Sequence, residues 1–145
     1  MPTDNEQLHE IISEIQARHA DGDADADAGA AAAIRIWRQL AFKFVPLLGP
    51  NSVNSIYARS LEFNKLAIPW LPASLRQDVS ELPLAALKAA LENRRTDEII
   101  LANNALLATF INLLATLIGA RMVIPFLRSA FPPDAPQINI QENQE

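Results

Sequence analysis

Apolar residues recur at steps of three and four along most of this chain, the spacing of one face of an α-helix. Leu8, Ile11, Ile12 and Ile15 make the first such stripe, and Thr3 and Glu6 have the spacing of a capping box, so a short amphipathic helix is expected over Thr3 to Ala20. Four large apolar residues cannot hold a free helix of this length in water, so it has to pack on something. Over 31–48, Ile34, Trp37, Leu40, Ala41, Phe44 and Leu48 fall opposite Arg35, Gln39 and Lys43, and Gly49-Pro50 stops the helix. Asn51 or Ser52 can cap a third helix that buries Val53, Ile56, Tyr57, Leu61 and Phe63 and exposes Arg59 and Glu62, ending at Pro69-Trp70-Leu71-Pro72. Ser74 can cap one further turn. Pro83 suits the first position of a helix running to about Arg95 with Leu84, Leu87 and Leu91 as its face. Thr96, followed by Asp97 and Glu98, then opens the last and longest helix.

From Ile99 to Ala120 that helix carries no charge. It is long enough to span a bilayer. Its Leu, Ile and Phe residues are worth only about −0.3 to −0.6 kcal/mol each on insertion, a gain that Asn103, Asn104 and Asn112 largely cancel, so a spanning helix is the alternative and not the expectation. Steps of about 100° per residue separate a large face, which includes Ile99, Ile100, Leu106, Leu107, Phe110, Ile111, Leu113, Leu114, Leu117 and Ile118, from a small one. The small face holds Ala102, Asn104, Ala105, Ala108, Thr109, Asn112, Ala115, Thr116 and Gly119, interrupted by Leu101. Ordinary surface six turns long would carry Lys, Glu or Arg. This face is therefore expected to be covered, by a second copy of the chain or by the N-terminal helix, with Ala105, Ala108, Asn112, Ala115 and Gly119 as the close-packed contact and the asparagines bonding across it.

The 145 residues, half of them hydrophobic, suit one domain with a real core. Charge is unevenly placed. Residues 1–30 hold eight acids and one base, a net of −7, which leaves +2 on residues 31–145 of the total −5. The expected organisation is an amphipathic helix over 1–20, an acidic flexible linker over 21–30, a helical bundle over 31–131 and a disordered tail over 132–145. An acidic balance argues against nucleic acid as a partner. The polar, acidic start lacks the apolar stretch of a signal peptide, so a cytoplasmic location is expected.

Candidate chemistry is sparse. With no cysteine there is no thiolate metal site and no cysteine nucleophile, and His9 and His19 are the two imidazoles. His9-Glu10-Ile11 matches only part of the phosphoacceptor box of sensor kinases, and an exposed helical histidine explains it. Asp21, Asp23, Asp25 and Asp27 alternate as in a calcium loop, but no register supplies the glycine and glutamate that such a loop needs. Phosphate-loop, nucleophile-elbow and His-Glu-x-x-His motifs are missing. No enzyme activity, cofactor or metal is expected. Residues 31–96 hold nine bases and four acids, a modest basic patch around Arg76, Lys88, Arg94 and Arg95 that the acidic N-terminal segment can complement. Trp37, Tyr57 and Trp70 offer stacking surface for a small ligand, although aromatics at such positions more often belong to the core.

Ile56-Tyr57-Ala58-Arg59-Ser60-Leu61 leading to Pro69-Trp70-Leu71, Asn104 to Phe110 leading to Leu113 to Gly119, and the segment from Trp37 to Gly49 resemble a group of small uncharacterised bacterial all-helical proteins. Their genes often lie near histidine kinases, response regulators or clock-type ATPases. The resemblance covers roughly residues 34–130 and implies an accessory to bacterial signalling by association alone. The fold expected is all-α, a four- or five-helix bundle with a long C-terminal helix, dimeric. The function expected is a non-enzymatic interaction or adaptor module in a cytoplasmic signalling or regulatory assembly. It would dock helices, homodimerise and bind a signalling protein partner, with Leu8, Ile11, Ile12 and Ile15 as a tethered stripe that engages or releases a groove. The alternatives are a membrane-associated protein with residues 99–120 inserted, and a small-ligand-binding helical bundle.

Overall fold

The computed structural model describes residues 3–20, 26–72, 84–92 and 94–131, and these form an all-α bundle. Among the described residues the helices are α1 (Asp4–Ala20), α2 (Ala26–Leu48), α3 (Pro50–Lys65), α4 (Leu84–Glu92), α5 (Thr96–Ile118) and α6 (Ala120–Ala130). That is more than the four or five expected, because the long C-terminal helix is two. Gly119 stands between them at φ 91°, where a side chain is strained, so the uncharged run from Ile99 to Ala120 breaks one residue before its end. Gly49, at φ 88°, makes the same kind of break between α2 and α3, and Pro50 then opens α3 a residue or two before the expected Asn51 or Ser52 caps.

α1 begins as its capping box predicts. The Glu6 backbone N–H donates to Thr3 Oγ1 and the Thr3 N–H donates to Glu6 Oε1, both at 3.1 Å. α2 begins at Ala26, inside the segment expected to be linker. Gly29 and Ala30 are buried, and a β-carbon added at Gly29 would lie 3.7 Å from Ile99. Gly29 and Ala30, which read as linker by composition, thus belong to a packed helix. Residues 21–25 and the tail over 132–145 lie outside the described residues, as do Ser74, Arg76 and Pro83.

α5 is the central helix, packed by α1, α2, α3 and α6, while α4 packs on α2. Gly29 against Ile99, and Trp37 on Asn103 and Phe110, show that α2 runs parallel to α5. α6 then turns back along the end of α2, with Phe126 stacked on Phe44 at 5.5 Å and Ser129 accepting a hydrogen bond from Lys43. α1 runs antiparallel to α5: Asp4 pairs with Arg121 at 3.1 Å and Gln16 reaches the Asn104 carbonyl.

The centre of the core is aromatic. Trp37 meets Tyr57 and Phe110 edge-on, at 5.3 and 5.1 Å, which ties α2, α3 and α5 at one junction. Its indole N–H donates to Asn103 Oδ1 at 2.7 Å, and both residues are fully buried. Among the described helices Thr96–Ile118 alone is long and apolar enough to cross a membrane, and 44% of its most apolar window lies buried inside the bundle.

A candidate docking face on α5

The large face of α5 is the core face, and Ile99, Leu106, Leu107, Phe110, Ile111 and Leu114 are buried. Two residues depart from the expected division. Ala102 is fully buried, beside the buried Ile99 and Leu106. Leu117 is exposed, because it stands in the last turn, where the helix runs out from under its neighbours.

The small face is bounded on two sides. On one edge the Gln16 side chain of α1 donates to the Asn104 carbonyl at 3.1 Å. On the other, Asn64 of α3 donates to Thr109 Oγ1 at 3.0 Å. Between these edges runs a strip in which Ala105, Ala108 and Ala115 are half-buried and Leu101, Asn112 and Thr116 are exposed. The N-terminal helix thus covers one margin of the small face and leaves its middle open. Thr109 and Thr116 donate their hydroxyls to the carbonyls of Ala105 and Asn112, both at 2.9 Å, so neither hydroxyl proton points outward. The strip is therefore nearly apolar, and the exposed amide of Asn112 is its principal polar feature.

The contact residues chosen from sequence fare unevenly. Ala105, Ala108, Asn112 and Ala115 share the strip. Gly119 is exposed at φ 91°, where a side chain is strained, and a β-carbon added there meets nothing within 4 Å in its own chain. Asn104 reaches α1 through its backbone carbonyl, and its own Oδ1 is buried without a hydrogen-bond partner. Leu8, Ile11, Ile12 and Ile15, expected to dock on a groove, are buried in the core of their own chain, on α1 where it packs against α5 and α6.

Sequence reasoning missed two exposed apolar side chains near the end of α3. Phe63, assigned to the core, is 75% exposed and Leu66 is 95% exposed. Phe63 stands in the last turn of α3 and Leu66 at its C-cap, on either side in sequence of the Asn64 that anchors α3 to Thr109. The buried arc of α3 runs through Val53, Ile56, Tyr57, Ser60 and Leu61, and the helical step carries Phe63 out of it. On α5 itself the exposed Leu101 supplies the bulk that the alanines lack.

The remaining chemistry is dispersed. Trp37 and Tyr57 are core residues, while Trp70 is half-buried beneath Arg94, whose guanidinium carbon lies 4.5 Å from the ring centroid. The three aromatics thus do not line one common surface. His9 is exposed, and no group of three or more His, Asp or Glu side chains able to hold a metal occurs among the described residues. Burial pushes the Tyr57 phenol far above its ordinary value, and its hydroxyl has no partner. No family model, curated protein or solved structure matches this chain.

Proposed function

We propose that the chain is a non-enzymatic helical interaction module that pairs with a second copy of itself through the open strip of α5. The observation that carries this reading is an uncharged, nearly apolar strip left open between α1 and α3, with Leu101 exposed on it. Exposed apolar surface of this continuity on a small domain marks a contact with another protein.

The strip suits a copy of itself. Alanines permit a short distance between two helix axes. No charge occurs on α5 after Glu98, so two copies crossing near Ala108 bring no like charges together. Asn112 carries both a donor and an acceptor, so two such amides related by a two-fold axis can bond reciprocally, which two lysines or two aspartates cannot do. Placement in a bacterial cytoplasmic signalling or regulatory assembly, with a signalling protein as further partner, rests on the sequence resemblance alone.

Sedimentation equilibrium at micromolar concentration tests the pairing. The expected result is a dimer that Ala108→Arg converts to a monomer with an unchanged far-ultraviolet circular dichroism spectrum, its melting temperature lowered by no more than the lost association accounts for. A wild-type chain that stays monomeric at those concentrations overturns the proposal.

A further inference from the structure

A second open surface lies on the far side of the bundle. Arg35, Arg38, Phe42 and Pro46 succeed one another at steps of three and four along α2 and are all exposed, opposite the buried Trp37 and Phe44. Because α6 runs back along the end of α2, its exposed residues Met122, Pro125 and Arg128 continue the same surface past Lys43 and Leu47. Phe42 is 76% exposed, Met122 47% and Leu47 40%. No aspartate or glutamate occurs in α2 from Ala30 to Leu48 or anywhere in α6, whereas these two stretches hold Arg35, Arg38, Lys43, Arg121 and Arg128. Arg121 is partly neutralised by Asp4 of α1.

We propose that this α2–α6 face docks on the surface of an anionic lipid bilayer, lying on it without crossing it. The chemistry is that of an interfacial face: apolar side chains at the level of the acyl boundary, ringed by long basic side chains that reach lipid phosphates. Charge complementarity selects an anionic surface, because a chain of net charge −5 has here gathered five bases and no acid of its own. The apolar members favour a bilayer over single-stranded nucleic acid. Phe42 is the one exposed aromatic among them, and Leu47, Met122 and the two prolines offer no flat rings on which bases stack.

The test is flotation of the full chain with phosphatidylcholine vesicles, with and without about a third phosphatidylserine. Binding is expected to the anionic vesicles, at least about tenfold above neutral ones, and to fall steeply as salt rises to about 0.5 M. Arg35→Glu with Arg38→Glu, or Arg128→Glu alone, should weaken it, the double variant by about tenfold or more. Phe42→Ser should also weaken it, while Phe63→Ser, an equally exposed phenylalanine on α3, should leave it unchanged. All these side chains are exposed, so circular dichroism should show an unaltered fold. Equal binding to neutral and anionic vesicles overturns the proposal, and so does equal loss in Phe42→Ser and Phe63→Ser. Salt-sensitive binding to single-stranded RNA that survives Phe42→Ser, without vesicle binding, overturns it in favour of a polyanion site.

Discussion

Two buried polar residues at the centre of the core behave in opposite ways. Trp37 has its indole N–H satisfied by Asn103 at 2.7 Å in a fully buried contact. Asn103→Ala leaves that donor desolvated and unpaired, so a loss of about 1–3 kcal/mol is expected in urea denaturation. Tyr57 is buried with its hydroxyl unpartnered, so Tyr57→Phe removes a polar atom that gains nothing and should leave stability unchanged or slightly raised. Its ionisation gives a pH signature. The folded state holds the phenolic proton more tightly than the unfolded chain does, so above about pH 10 the unfolded chain binds fewer protons and stability falls as pH rises. Tyr57→Phe should abolish this part of the alkaline loss. The chain has one tyrosine, so phenolate absorbance should appear together with unfolding and not before it. Trp37 and Tyr57 were legible from sequence as members of apolar arcs. The role of Asn103 was not, because the adjacent Asn103 and Asn104 differ only in the 100° step that turns the first toward the indole.

Helix ends show where sequence patterns suffice and where they mislead. The Thr3–Glu6 box starts α1 as read, and Leu84, Leu87 and Leu91 bury α4, because capping and apolar spacing are local signals. The start of α2 was misread because alanine and glycine serve equally in a linker and in a tightly packed turn. The break at Gly119 was not legible, because small size alone does not reveal a φ of 91°. Gly119→Ala should therefore cost about 1–3 kcal/mol in chemical denaturation, although it adds no clash. α1 depends on its docking, since a free helix of 17 residues is marginal. Ile12→Asp should release it, and hydrogen exchange should show α1 amides losing protection while α2 and α5 keep theirs. Any truncation meant to remove α1 cleanly has to end before Ala26, since Ala30 and Ala33 belong to the core.

At the scale of the molecule the two open surfaces stand on opposite sides of α5. α2 packs on the side of α5 that carries Ile99, Asn103 and Phe110, and Leu101 and Ala108 point about half a turn away from it. The α5 strip was legible as an absence of charge where surface needs it. The α2–α6 face was not, since it forms only when α6 folds back beyond Gly119. A two-fold dimer closed on the α5 strip turns its two basic faces outward in opposite directions, so one flat membrane cannot engage both. Two vesicles can. The wild-type chain should therefore raise the turbidity of a suspension of anionic vesicles, as each dimer joins two of them. Ala108→Arg should abolish this clustering while each chain still floats with the vesicles, because the substitution removes the pairing and leaves Phe42, Arg35 and Arg38 in place. Clustering that persists in a variant shown to be monomeric would mean that a single chain carries two lipid-binding faces, and would overturn pairing through the α5 strip as its cause.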